Sequence, residues 1–341
     1  MMSKMENRLV LILTVFFNFY FLLAIAAQIF LFFLMTKCKV KSLKDMKIYL
    51  LNILALQFVS TVSAYMMQCR VVPSSETMAL LCYGPCKYFG TVPCQIIFHL
   101  LETSLIACAT SLIIAFYYRY EILTTNSFTR TAHYKQLVIS YFVPLVFLVF
   151  EVLSPSDLTK VANELTLLHP NYDIENYVIL GYSEVKSVFA SIQTILMMLG
   201  AYGTPLIAFL FRRKIMKILN STKSYHAEKI EQTKSMIQVF YLQNPSIRTT
   251  EFQGLTLQTL LPLFCYCPGF TYYIYAQYTE SSNQIAEFAV SPFGFIYTIF
   301  DPLLTIYYVL PYRRTFKSLF VKQNSVSTAT AFHSEITRRI I

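Results

Sequence analysis

The chain has 341 residues, 55% of them hydrophobic and 13% charged, with a mean hydropathy of +0.50. Soluble domains carry about 25% charged residues, so a soluble fold is excluded: it could not cover this much apolar surface. A net charge of +10 would suit a nucleic-acid binder only if the cations formed one face of a soluble domain; here they fall in the gaps between apolar runs, and no nucleic acid is expected as a partner.

The runs read as seven spanning helices of an all-α integral membrane protein, since about 20 apolar residues cross a bilayer. After a short N-terminal stretch, 1–8, the first run covers 9–35, with Asn18 and Gln28 as its strongly polar interruptions. It is longer than a signal-peptide core of about 7–15 residues and lacks a clear small-residue cleavage site, so it is expected to stay as an anchor. The next runs are 48–68, 91–118, 137–153, 187–211, 255–278 and 288–310. Pro144, Pro205, Pro262, Pro268 and Pro292 fall inside several of them. Neighbouring helices can satisfy the backbone groups that such prolines free.

The last run is broken twice. Asp301-Pro302 sets an ionisable group beside an expected kink, because proline removes a backbone bond and clashes with the preceding turn. A carboxyl inside lipid is expensive and marks a switch or ligand role, or else a protonated packing residue. Pro311-Tyr312-Arg313-Arg314 then closes the span at a charged boundary. Phe316, Leu319 and Phe320 follow at helical spacing, with Arg313, Arg314 and Lys317 offset from them. That is the pattern of a short cytoplasmic amphipathic helix on the membrane surface, opening the 311–341 tail. Ser325, Ser327, Thr328, Thr330, Ser334 and Thr337 make the tail a candidate for phosphorylation, at about −1.5 to −2 charges per site.

With seven spans the termini lie on opposite sides. The gaps on one side hold 22 Lys and Arg and those on the other hold 6. Cytoplasmic loops carry the excess, so the expected placement is a multi-pass plasma-membrane protein with an extracellular N-terminus. The Asn220-Ser221-Thr222 sequon then falls on the inner side. The chain has no tryptophan, which leaves the interfacial belts to tyrosines: Tyr272, Tyr273, Tyr275 and Tyr278 at one level, Tyr117, Tyr118 and Tyr120 at the other.

The first outer loop contains Cys69, Cys82, Cys86 and Cys94, which allow three pairings in an oxidising compartment. A bridge within the loop, Cys86 to Cys94, is one expectation; free buried thiols are the other. Cys265-x-Cys267 sits in an apolar run with no histidine or second cysteine pair nearby, so no metal and no cofactor are expected.

Several polar side chains inside the runs are candidates for function. His99, Glu102, Thr103, Ile106 and Thr110 share one helical face. Glu102 lies about 12 Å inside Cys94 at 1.5 Å per residue, a depth suited to a small ligand, and could pair with an amine or with His99 one turn away. Phe264, Tyr272, Phe293 and Tyr297 are the expected aromatic walls, or plain packing. Asp301 lies about 14 Å from the inner boundary, and Gln57 at a similar depth is its expected hydrogen-bond partner in one of two states. Arg119 and Tyr120, with Glu121 beside them, close the third run where an internal partner would dock; a snorkelling anchor is the alternative for Arg119.

These residues also resemble a known group. The loop Val72-Pro73 through Tyr83-Gly84-Pro85-Cys86-x-Tyr88-Phe89-Gly90 and Cys94 is similar to that of the nematode serpentine receptor class delta (Srd) chemoreceptors. So are Phe116-x-Tyr118-Arg119-Tyr120, Gln258-Thr259-Leu260-Leu261-Pro262, and Asp301-Pro302-Leu303-Leu304-Thr305-Ile306 with Pro311-Tyr312-Arg313. The resemblance covers nearly the whole chain. It implies a seven-transmembrane G-protein-coupled receptor of ciliated sensory neurons, with an external small-molecule or peptide ligand and a heterotrimeric G protein as partners. The chain departs from the broader rhodopsin class in three ways. No acidic residue precedes Arg119, Asp301-Pro302 stands where Asn-Pro-x-x-Tyr is usual, and 154–186 has no cysteine to bridge to the third run. A ligand-gated ion channel or transporter is the competing reading, but transporters show repeated halves with paired broken helices, and no such repeat is visible. No His-rich, acidic-pair or Ser/His constellation stands at a membrane boundary, so no enzyme is expected.

Overall fold

The computed structural model describes residues 4–38, 44–124, 130–172, 174, 176–221, 245–279 and 283–320. Thr222 of the sequon and the tail residues from Ser325 to Thr337 lie outside them. The helices are α1 (Lys4–Lys37), α2 (Lys44–Met67), α3 (Thr91–Thr124), α4 (Arg130–Ser140), α5 (Phe142–Leu153), α6 (Leu158–Leu168), α7 (Val188–Met198), α8 (Thr204–Ser221), α9 (Pro245–Thr279), α10 (Gln284–Phe295), α11 (Tyr297–Tyr308) and α12 (Leu310–Phe320). They build a seven-helix bundle in which α4 with α5, α7 with α8, and α10 with α11 each form one span. Among the described residues, six spans are long and apolar enough to cross a bilayer. The remaining one, α9, has the length, at 35 residues, while Gln258, Thr259 and its tyrosines and prolines dilute its apolar character.

Each split span has a local cause. Pro144 has no N–H to return to Ser140, and the chain turns at Tyr141 between α4 and α5. A π-helical turn, Leu199–Gly203, joins α7 to α8 just ahead of Pro205. The Ala201 carbonyl that Pro205 cannot bond accepts instead from Cys267 Sγ at 3.5 Å. The last span breaks at Ile296, whereas Pro302 lies inside α11. The kink expected beside Asp301 is thus moved upstream, where the chain can shift clear of the proline ring.

Nothing in the sequence pattern foretells a sheet, and the structure contains one. Strands β1 (Cys69–Pro73), β2 (Met78–Cys82) and β3 (Val178–Tyr182) pair antiparallel in the order β1-β2-β3. Cys69 pairs with Cys82 across the hairpin, and a disulfide joins them. A second disulfide, Cys86–Cys94, ties the 3₁₀ turn Pro85–Phe89 to the first turn of α3. Gly181 admits β3 to the edge: its φ is +134°, and a Cβ there would strike the Met78 carbonyl. α6 is capped by Asp157, which accepts from Thr159 N at 3.0 Å and Lys160 N at 3.3 Å.

The sheet lies across one end of the bundle and belongs to its largest core. That core runs from Val10, Leu13 and Phe17 of α1 through the strands to Phe98 and Leu101 of α3, Val161 and Leu165 of α6, and Phe288 and Phe295 of α10. At the opposite, basic end, Leu31, Leu34, Leu50, Leu54, Ile306 and Tyr312 form a second cluster. Phe316 of α12 packs there on Phe30, with ring centroids 5.7 Å apart. Elsewhere large apolar side chains face outward, Leu11, Ile12, Phe19 and Leu22 of α1 among them, as they do where the surroundings are hydrocarbon.

Candidate functional site

Beneath the sheet the bundle holds a partly open cavity of about 210 Å³. Alternation along the strands decides which side chains reach it. Cys69 and Val71 of β1, Met78 and Leu80 of β2, and Tyr182 of β3 form its roof, while Arg70 and Val72 point to the other face. Leu101, Glu102, Leu105 and Ile106 of α3, Gly200 and Ala201 of the π turn, and Tyr266, Phe270 and Tyr273 of α9 supply walls. The acid in this lining is Glu102, and no lysine, arginine or histidine contributes to it.

Glu102 belongs to a polar network sunk among apolar walls. Its Oε2 accepts from Gln193 Nε2 at 2.9 Å and from the Tyr182 hydroxyl at 3.4 Å. Gln193 Nε2 also donates to the Tyr182 hydroxyl at 2.7 Å, and Ser154 Oγ donates to Gln193 Oε1 at 3.3 Å. Alongside, the buried Glu151 of α5 has His99 Nδ1 at 2.8 Å and accepts from Thr103 Oγ1 at 3.3 Å. His99 therefore lies against Glu151 and not only one turn from Glu102. Glu151 is the site residue that the sequence pattern passed over. A lone acid in the Phe142–Leu153 run was its signal.

The other expected wall residues fall elsewhere. Of the third-helix residues, Ile106 joins Glu102 at the cavity, while Thr110 Oγ1 donates to the Ile106 carbonyl at 3.2 Å. Phe264 and Phe293 are exposed on the outer surface of the bundle. Tyr272 accepts from Asn283 N at 3.2 Å, linking α9 to the head of α10. Tyr297 is buried against Tyr266, ring centroids 5.6 Å apart. In helices this rich in aromatics, the sequence does not reveal which face meets the cavity.

The outer face of the roof holds a charge cluster. Arg70 is fully buried. Its Nε and Nη2 donate to Glu287 Oε2 at 2.9 Å and 2.7 Å, and its Nη1 donates to Glu6 Oε1 at 3.0 Å. The guanidinium lies 4.0 Å from the Tyr172 ring centroid and 4.6 Å from that of Phe288. Tyr172 in turn stacks on His169 at 4.5 Å. Burial lowers the His169 pKa, with Glu287 opposing and Arg70 reinforcing the shift, and burial pushes the Tyr172 hydroxyl up to about 12. One guanidinium so joins α1, β1, α10 and the segment after α6.

Towards the basic end the helices are tied by single polar bonds. Gln57 Nε2 donates to Asp301 Oδ2 at 2.8 Å, next to Pro302, and both Gln57 and Asp301 are buried. Arg119 Nη1 donates to Gln258 Oε1 at 3.3 Å, and Gln258 Nε2 passes the chain on to Thr305 Oγ1 at 3.2 Å. Glu121 accepts from Gln136 Nε2 at 2.7 Å. Tyr120 lies between Phe211, at 5.9 Å, and the Lys214 ammonium, at 5.7 Å. Higher up, Tyr20 bonds Thr298 at 2.7 Å and Ser60 bonds Ser104 at 2.7 Å. Among the described residues no group of His, Cys, Asp and Glu is arranged to hold a metal ion.

Comparison with known proteins places this arrangement in context. The sequence profile of the family described as serpentine type 7TM GPCR chemoreceptor Srd matches residues 13–245 and 249–318. Serpentine receptor class delta-50 of Caenorhabditis elegans is 64% identical, over 100% of both chains. Serpentine receptor class delta-51 of the same organism is 37% identical over 96% of this chain and 93% of its own. Serpentine receptor class delta-59 is 28% identical over 93% and 95%.

Proposed function

The chain belongs to the Srd family of serpentine seven-transmembrane chemoreceptors, and from that premise we propose that it receives a small external molecule in the roofed cavity and signals to a heterotrimeric G protein at its basic end. The observation that carries this reading is the cavity itself: set within the bundle, largely apolar, and given polarity by Glu102. Small-molecule sites commonly combine an apolar lining with a few placed polar groups. A ligand there touches α3, the π turn, α9 and α10 together, so it favours whichever arrangement of those helices fits it best.

α9 is the element that can report such a shift. Tyr266 and Tyr273 line the cavity, and Gln258 of the same helix bonds Arg119 and Thr305 at the basic end. This link stands where the acid–arginine pair of the broader rhodopsin class is missing. Arg119 and Tyr120 are the residues we assign to G-protein contact, and the Gln57–Asp301 bond is the one we assign to the switch. Two disulfides and the head of α1 share the sheet end. Disulfides form on the oxidising side, which supports an extracellular N-terminus and a cytoplasmic basic end in the plasma membrane of a sensory neuron.

The test is expression of the full chain with a G protein and a second-messenger reporter, screened against volatile and water-soluble stimuli. A stimulus-dependent messenger change without ionic current is expected. Asp301→Asn, checked for arrival at the surface, is expected to shift the response several-fold by analogy with other intramembrane charges. A stimulus-gated current that persists without the G protein would overturn the assignment in favour of a channel.

A further inference from the structure

The cavity's lining also constrains what can occupy it, an inference that rests on its being a ligand site. We propose that it selects a compact, largely apolar molecule carrying one protonated amine, received by Glu102, and that it rejects anions. Size comes first. A dry apolar cavity of about 150 Å³ holds benzene, so about 210 Å³ suits an aromatic or branched body of roughly ten non-hydrogen atoms.

Charge decides the head group. No lysine, arginine or histidine lines the cavity, and an unpaired charge in such a place is strongly disfavoured. The nearest buried cation on the roof, Arg70, faces away and is engaged by Glu6 and Glu287. Gln193 Nε2 and the Tyr182 hydroxyl are already directed at Glu102 Oε2, so these donors are taken up by the protein's own carboxyl. Glu151 stands in the same network as a second acid. An entering carboxylate or phosphate would therefore meet acceptors whose nearby donors are already engaged, whereas an ammonium would meet a carboxyl already oriented by two hydrogen bonds. The aromatic side chains of Tyr182, Phe270 and Tyr273 in the lining are of the type that attracts a cation.

Three probes with one aromatic body separate the possibilities: 2-phenylethylamine, 2-phenylethanol and phenylacetate. Their binding is measured by calorimetry on the purified full-length protein in lipid nanodiscs. The amine is expected to bind tightest, the alcohol more weakly and phenylacetate not at all. Glu102→Gln should weaken the amine by about tenfold or more, the loss of a charged hydrogen bond, while the alcohol stays within about threefold. Glu102→Asp, which keeps the charge, should retain the preference for amine over acid, so the result does not hang on one variant. Phenylacetate binding as tightly as the amine, an amine affinity unchanged in Glu102→Gln, or no amine binding at millimolar concentration would each overturn the proposal. Ala109→Phe, which fills the cavity, distinguishes the two levels. If it abolishes whatever binding is seen, the cavity remains the ligand site with different chemistry; if every probe still binds, the cavity reading falls as well.

Discussion

A guanidinium with no exposed surface must have its charge answered inside the protein, and Arg70 is answered by Glu6, Glu287 and the rings of Tyr172 and Phe288. Desolvating such ions costs several kcal/mol each, and removing one partner leaves the rest uncompensated. Arg70→Ala is expected to lower stability by about 3–5 kcal/mol, read as the denaturation midpoint of the protein in detergent. Arg70→Lys should recover little, because an ammonium lacks the planar fork that reaches both carboxylates. A midpoint matching the wild type would show that Glu6 and Glu287 tolerate each other unpaired. His169, on the far side of Tyr172, gives the cluster a pH dependence. Its pKa is lowered in the fold by burial, against Glu287 and with Arg70, so the fold prefers the neutral ring. The stability this supplies is complete above the unfolded value of about 6.5 and is lost as pH falls through the lower folded value. Between about pH 7 and pH 5 the midpoint of the wild type should therefore fall more steeply than that of His169→Phe, which keeps the stack without a proton. Equal slopes would assign the titration elsewhere.

At the scale of elements, the roof is the part that sequence pattern hides. β2 is buried at every position, so it shows no alternation, and five apolar residues at the mouth of a spanning helix look like more helix. Its partner β3 arrives only after two more spans, α3 and α4 with α5, and the short α6. The four cysteines were visible in the sequence and Cys86–Cys94 was an expected bridge, which the structure contains, but the Cys69–Cys82 pair emerged only where β1 and β2 set the two residues opposite each other. That disulfide closes a loop of sequence separation 13, for which chain entropy gives about 2–3 kcal/mol. Replacing Cys69 and Cys82 together by serine should lower the unfolding midpoint accordingly, and reducing agent should lower the wild type in the same direction. No change in either case would mean that the strands hold their register unaided. α12 shows the opposite balance: its alternation of Phe316 and Leu319 with Arg313, Arg314 and Lys317 was legible, while its seat on Phe30 was not.

Across the whole molecule, two ends of different chemistry are separated by an apolar belt. The sheet end carries the disulfides, the Arg70 cluster and the cavity roof; the opposite end carries Arg119, Lys214 and the basic face of α12. An epitope fused to residue 1 is expected to stain on intact cells expressing the full chain, and one fused after Ile341 only on permeabilised cells. The reverse pattern would invert the proposed orientation and with it the site of ligand entry. The sequence by itself determined the class, the count of spans and the family resemblance, because hydropathy and cation placement are local quantities that a bilayer reads one segment at a time. It also exposed Glu102, Asp301 and Gln57 as polar side chains deep in the apolar runs, and the expected Gln57–Asp301 bond is present. Only the tertiary structure decided that Glu102 shares its surroundings with Gln193, Tyr182 and Glu151, and that Arg70 is a buried hub and not a surface charge. Those outcomes depend on the rotation of each helix about its axis and on strand pairing between distant parts of the chain, and neither is written in the order of residues along any one segment.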